Sequence, residues 1–177
     1  MNPQTHPDAW ADAGLTVRPI TPADDAALAA LVRRSLKAVG LDIPGTAYAD
    51  PGLDRLSAQY GQPGRVYLAL CRGGETVGGA GLAPFWGFPD CCELQKLYLA
   101  EELRGRGLGE TLLRRVEDEA RSMGFRRIYL ETHSRLKAAL RLYARLGYRE
   151  ISRPACVVHG AMDRFFLKDL PDDAGEK

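Results

Sequence analysis

Apolar positions recur every second residue in Leu15 to Ile20 (LTVRPI), which predicts a first strand. Thr21-Pro22-Ala23-Asp24 then supplies a helix start, with Thr as N-cap, Pro in the first turn and acids close behind. Leu28, Leu31, Val32 and Leu36 form the apolar stripe of that helix, and Gly40 ends it. Residues 41–63 hold Pro44, Gly45, Pro51, Gly52 and Pro63, the mark of an irregular connector with one short helix at Leu53 to Gln59. Arg65 to Cys71 (RVYLALC) and Thr76 to Ala83 (TVGGAGLA) flank Arg72-Gly73-Gly74-Glu75 and predict a hairpin. A loop with three aromatics, Pro84 to Asp90 (PFWGFPD), leads into a strand at Cys92 to Leu99. An amphipathic helix pattern runs from Leu108 to Met123 and stops at Gly124. Ile128 to Thr132 predicts a strand, and Arg135 to Leu146 a helix capped by Ser134 or a neighbour and ended by Gly147. Tyr148 to Ser152 and Met162 to Leu167 complete the sheet.

This order mixes hairpins with two crossover helices, and no helical period appears between residues 65 and 100. A uniform doubly wound parallel sheet is thereby disfavoured. The expected fold class is α/β (α+β): a single domain with a mixed, mostly antiparallel sheet of six or seven strands and helices on both faces. The domain is expected over residues 15–170, between loose tails at 1–14 and 171–177. One domain is the simplest reading of 177 residues, and 45 % hydrophobic with 27 % charged residues is ordinary for a soluble globular protein. A net charge of +1 argues against general affinity for nucleic acid or membrane surfaces. The first 14 residues carry no apolar core segment and no run is long enough to span a bilayer, so a cytoplasmic location is expected. Cys71, Cys91, Cys92 and Cys156 lack paired metal spacing and read as reduced, mostly buried side chains; no metal is expected.

The chemistry concentrates in Arg104-Gly105-Arg106-Gly107-Leu108-Gly109, which follows a strand pattern and opens a helix. Alternate glycines let the backbone turn sharply and approach a ligand closely. A helix N-terminus adds unpaired N–H groups and a partial positive charge, a setting for a phosphate or pyrophosphate. A P-loop is excluded, because Glu110-Thr111 stands where Lys-Ser/Thr is required. A Rossmann fingerprint fits poorly: the spacing is Gly-x-Gly-x-Gly and the motif lies past mid-chain. An ordinary glycine turn with two solvated arginines is the plain alternative.

This stretch resembles the signature of the acetyl-CoA-dependent GNAT N-acyltransferases, Arg/Gln-x-x-Gly-x-Gly/Ala, through Arg104, Gly107 and Gly109. Downstream, AALRLYARLGYRE is similar to that family's second signature, Ala-x-x-Leu-Tyr-x-x-x-Gly-Phe/Tyr, and the resemblance spans roughly residues 15 to 169. It implies an N-acetyltransferase that uses acetyl-CoA as acyl donor and an amine as acceptor, by direct attack in a ternary complex. It places cofactor contacts on Leu97, Tyr98 and Leu99, whose backbone would run beside the pantetheine arm, and on Arg104, Gly105, Arg106, Gly107, Leu108, Gly109 and Glu110. It makes Tyr143 the acid that protonates the leaving thiolate and Glu93 a candidate general base. On spacing alone, Tyr143 falls on the apolar stripe Leu136, Ala139, Leu140, Tyr143, and Leu97 and Leu99 alternate as core residues do. Glu93, Gln95, Leu97 and Leu99 share one face by that alternation. Glu131, His133 and Tyr98 are lesser candidates for the base.

Many relatives carry an asparagine early in the second signature, and here Thr132, His133 or Ser134 stands in its neighbourhood. A catalytically silent CoA-binding regulatory protein of the same fold is the alternative function. The acceptor stays open, as does the choice between monomer and homodimer. Its pocket is expected between the aromatic loop (Phe85, Trp86, Phe88) and residues 41–63, where Tyr48, Asp50 and Asp54 are available to a cationic amine. A dimer contact made by the same rings and their folding back into the core are the other readings of that loop.

Overall fold

The computed structural model describes residues 14–157 and 160–171, so the two expected tails lie almost wholly outside the described residues. Seven strands form one sheet: β1 (Leu15–Pro19), β2 (Val66–Arg72), β3 (Glu75–Phe85), β4 (Cys91–Leu99), β5 (Arg127–Thr132), β6 (Arg149–Ile151) and β7 (Arg164–Asp169). Their order is β1-β2-β3-β4-β5-β7-β6. Only β4 and β5 run parallel; every other neighbouring pair is antiparallel. Among the described residues four α-helices accompany it: α1 (Asp25–Lys37), α2 (Leu56–Tyr60), α3 (Leu108–Ser122) and α4 (Lys137–Arg145). The mixed, mostly antiparallel sheet expected from the element order is the one observed.

Alternation along the strands sorts side chains onto two faces. On one face Leu112, Leu113 and Val116 of α3 and Tyr143 of α4 pack on Leu68, Leu82, Leu94 and Leu130. On the other, Leu28, Val32 and Leu36 of α1 meet Leu56 and Tyr60 of α2 and Tyr67 of β2. Further along that second face Cys91, Tyr129, Phe165 and Leu167 form a smaller cluster. Helices therefore cover both faces.

The aromatic loop divides. Phe85 stacks on Tyr129 with ring centroids 4.1 Å apart, and Phe88 packs beside both. Trp86 alone stands out, 91 % exposed. Tyr129 offers a ring-sized apolar surface that two of the three aromatics can cover, and a chain reversing between β3 and β4 cannot turn all three inward.

Buried polar groups weld the elements. Asp24, 1 % exposed, takes both guanidinium nitrogens of Arg18 at 2.8 Å and the Thr21 N–H at 2.7 Å. The Arg18 guanidinium holds its carboxyl well below the usual carboxylate range. Asp24 also accepts from Thr76, so β1, the start of α1 and β3 share one carboxylate. At the other end, Ser134 donates through its N–H and hydroxyl to Asp163, each at 2.7 Å. Ser134 is therefore spent on the β6–β7 connection, and α4 starts at Lys137 with Leu136 at the N-cap position, later than the expected Arg135.

The glycine-rich stretch of β3 has a packing reason. A Cβ on Gly81 would lie 2.6 Å from the Tyr67 ring and 2.7 Å from the Tyr60 ring, and one on Gly79 would collide with Tyr67 as well. The two tyrosine rings, 5.1 Å apart, thus rest directly on glycine backbone. We expect Gly81→Ala to displace both rings and to destabilise the fold by about 1–3 kcal/mol, the usual scale of overpacking a core. Urea denaturation checks this; a midpoint equal to that of the wild type would show that the rings yield without cost.

Candidate active site

β4 and β5 are hydrogen-bonded neighbours only where Cys91–Glu93 face Arg127–Tyr129. Beyond Glu93 they part. The cause lies in β4 itself: against β3, Gly81 faces Gln95 but Gly79 faces Tyr98, so Ala80 stands opposite two residues, Lys96 and Leu97. This is a β-bulge, a device that bends a strand and re-aims its side chains. Lys96 adopts φ +52, its carbonyl accepts the Tyr67 hydroxyl at 2.9 Å, and its ammonium pairs with Asp50 at 2.9 Å.

The bulge corrects one expectation. Glu93, Gln95, Leu97 and Leu99 do not share a face. Leu94, Leu97 and Leu99 join the core under α3 and α4, whereas Gln95 bonds Tyr60 of α2 and Tyr98 packs on the α1 side. Burial pushes the Tyr98 phenol up to about 12.

Between the parted strands lies a cleft of about 820 Å³ that runs from the glycine loop, past Tyr143, to Glu93 and Glu131. Gly107, at φ +77, is the left-handed residue that caps α3, a conformation costly for any residue with a Cβ. The first donors inside the helix are Glu110 and Thr111, both to the Gly107 carbonyl, so the N–H groups just ahead of them are those a helix leaves unpaired. Gly105, Gly107 and Gly109 all line the cleft. Leu108 is buried beneath it.

Two charged residues at the loop, Arg104 and Glu110, hold structure. Arg104 donates to the Leu99 carbonyl at 3.1 Å and to the Ser35 hydroxyl at 3.0 Å, fastening the loop to β4 and α1. Glu110 pairs with Arg114 at 2.9 Å and Arg145 at 3.1 Å, tying α3 to α4. Arg106 is exposed and does not line the cleft.

Midway, Tyr143 reaches the cleft while its ring packs on Tyr148 and Phe166, and burial keeps its phenol protonated far above neutrality. The core reading of its spacing is the one observed: it is a core ring that also lines the cleft. Leu99 buries its side chain and Leu97 half-buries its own, and among the described residues no strand pairs with their outer backbone edge.

At the far end, Glu93 accepts from Gln95 Nε2 at 2.6 Å, and Gln95 Oε1 accepts from the Tyr60 hydroxyl at 2.7 Å. Glu131 accepts from the Tyr129 hydroxyl at 3.1 Å. Burial raises both carboxyls above their usual range, and the negative charge of Glu131 adds to the rise of Glu93. Thr46 and Asp50 wall this end from the α1–α2 loop. That loop is joined to the β6–β7 loop by a bond from the Ala161 N–H to the Gly45 carbonyl, at 3.0 Å. Asp54 is committed to Arg33 instead, and the aromatic loop does not line the cleft.

Residues 35–148 match the model of the Acetyltransferase (GNAT) family. The chain belongs to that family. It is 40 % identical over 157 residues to the uncharacterized N-acetyltransferase YjgM of Escherichia coli, covering 87 % of this chain and 94 % of that one. It also resembles the solved structure of yncA, a putative acetyltransferase from Salmonella typhimurium with its cofactor acetyl-CoA. That likeness has TM-score 0.69 and 25 % identity and covers 93 % of this chain and 98 % of that one. A GNAT acetyltransferase from Staphylococcus aureus Mu50 shares the fold alone, at TM-score 0.77 and 20 % identity over 89 % of this chain and 99 % of that one. This GNAT protein is an acyltransferase. Among its described residues no helix is long and apolar enough to cross a membrane.

Of the three residues standing near the asparagine of other GNAT proteins, Thr132 lines the cleft. His133 accepts the Arg135 N–H, and Ser134 is held by Asp163. Sequence reasoning missed Tyr60, Tyr67 and the bulge at Lys96. Their one trace in the sequence is the glycine run of β3, which carries no chemistry of its own.

Proposed function

We propose that this GNAT protein moves an acetyl group from acetyl-CoA to a primary amine by direct attack in a ternary complex. The observation that carries this reading is a cleft with a glycine-capped helix N-terminus at one end and two half-buried carboxyls at the other. The residues suit the donor. N–H groups of Gly105 to Gly109 meet a pyrophosphate, and the open backbone edge of Leu97 to Leu99 can pair with the pantetheine amides as an added strand would.

Acetyl-CoA brings an already activated thioester, so the chain's part is alignment and proton handling. Glu93 takes a proton from the ammonium of the acceptor, freeing its nitrogen to form the new N–C bond. As the C–S bond breaks, Tyr143 gives its hydroxyl proton to the departing sulfur. The second proton, shed by the new amide nitrogen, restores the phenol, while Glu93 releases its proton to solvent. No cysteine lines the cleft, which favours direct transfer over an acyl-enzyme route. Beyond the Lys96–Asp50 pair a second cavity of about 590 Å³ holds Arg55 and Arg65. An amine that carries an anionic group a few bonds away, such as an amino acid, therefore fits this end better than a polyamine.

The direct test is thiol release from acetyl-CoA across amino acids, their amides, polyamines and short peptides. Release with amino acids ahead of their amides supports the reading; release with polyamines alone removes the anionic requirement; CoA binding without release from any amine makes the protein a silent binder. Gly109→Val places methyl groups between Leu99 and Leu142, whose side chains lie 3.6 Å from the site of its Cβ. We expect at least a tenfold loss of CoA affinity with unchanged folding, and calorimetry giving wild-type affinity would refute the placement of the pyrophosphate. Tyr143→Phe preserves the ring packing and removes the proton donor. Here kcat should fall by about 10²–10⁴ with little change in KM for acetyl-CoA. Near-wild-type turnover, where chemistry limits the rate, would leave Tyr143 a core ring only.

A further inference from the structure

Three side chains beside the cleft are linked in one direction. The Tyr60 hydroxyl donates to Gln95 Oε1 at 2.7 Å, and Gln95 Nε2 donates to Glu93 Oε2 at 2.6 Å. A primary amide has one accepting end and one donating end, so whichever group holds the oxygen decides what the nitrogen meets. Tyr60 is 5 % exposed and stays a neutral phenol because burial disfavours its anion. Its one hydrogen goes to the amide oxygen. The nitrogen is then turned toward Glu93, where it stabilises a carboxylate but has nothing to offer the hydroxyl face of a carboxylic acid.

The setting makes that choice consequential. Burial, and the charge of Glu131 across the cleft, push Glu93 toward its neutral form, while the bond from Gln95 opposes them. The groups that face Glu93 come from several elements: Glu131 and Tyr129 from β5, Arg65 ahead of β2, Lys96, Cys91 and Cys92 from β4 and Tyr60 from α2. Arg65 and Lys96 favour the carboxylate through space, with Lys96 committed to Asp50. The amide is the group that reaches Glu93 by a short direct bond.

We propose that Tyr60 and Gln95 are positioning residues for the transfer: Tyr60 fixes the orientation of the Gln95 amide, and the amide keeps Glu93 ionised and aimed at the acceptor amine. This rests on the reading of Glu93 as the base. It also gives the glycine at position 81 a second role, since Tyr60 attains its place only because no Cβ stands there.

The test is the pH profile of kcat/KM for wild type, Tyr60→Phe, Gln95→Leu and Glu93→Gln, with CoA affinity and urea stability measured alongside. Loss of the donated bond makes Glu93 harder to ionise. The acid limb should therefore move to higher pH in Tyr60→Phe and Gln95→Leu, by about one unit. Activity should recover on the alkaline side, and CoA affinity should be unchanged. Glu93→Gln should remove the limb together with the activity. If Glu93→Gln is inactive but the limb stays in place in both other variants, the proposal is overturned and the base assignment stands. A uniform loss at every pH overturns it equally, marking a structural role only. If Glu93→Gln keeps full activity with the wild-type limb, the base assignment fails and the proposal with it. Should Tyr60→Phe fold poorly, the limb of Gln95→Leu decides.

Discussion

The hydrogen bond from the Tyr67 hydroxyl to the Lys96 carbonyl is the contact on which the working half of the molecule depends. A lysine at positive φ costs about 1–2 kcal/mol, and an extra residue in β4 leaves ladder groups without partners. A buried hydrogen bond of about 1 kcal/mol and the Lys96–Asp50 ion pair offset that cost. Without the bulge β4 would continue beside β5 as a regular parallel neighbour, and the space between them would close. Tyr67 can reach the bulge because Gly79 and Gly81 give its ring a flat bed. Three features that look unrelated in the chain, a glycine run, a buried tyrosine and a strained lysine, are one mechanical unit.

A second constraint is electrical. The net charge of +1 conceals a cleft with two unlike ends. The glycine-loop end joins a helix N-terminus to Arg141 and Arg145 of α4, whereas the opposite end holds Glu93 and Glu131. Much of the visible positive charge is nonetheless spent internally. Arg104 holds carbonyl and hydroxyl oxygens, Arg145 holds Glu110, and Arg135 holds the Val39 and Gly40 carbonyls just past the first helix. The backbone N–H groups ahead of Glu110, which carry no formal charge and do not vary with side chain, are left unpaired by the helix.

What was legible in the sequence follows from what is local. Strand and helix periods, the hairpin at Gly73-Gly74 and the glycine-loop helix start depend on neighbours within a few residues, and these elements appear within a few residues of their patterns. The face assignment of β4 failed because alternation assumes an unbroken ladder, and the break is imposed by Tyr67, a residue distant in sequence. The start of α4 moved for a similar reason: Ser134 would cap the helix if Asp163 did not claim it. The stripe placed Tyr143 in the core, where its ring lies, and the cleft lining includes it as well. The Tyr60–Gln95–Glu93 chain was invisible, being assembled from a short helix and a strand that only tertiary packing brings together.

The main-chain bond between Gly45 and Ala161 has a meaning for how this enzyme can be altered. A Cβ at Gly45 would stand 3.0 Å from the Ala161 nitrogen, so the two loops meet backbone to backbone, with no side chain between them to absorb a change. Neither loop can lengthen, shorten or tilt without dragging the other. For anyone re-engineering these loops, the stretches around Gly45 and Ala161 are a single module, to be exchanged together or left alone.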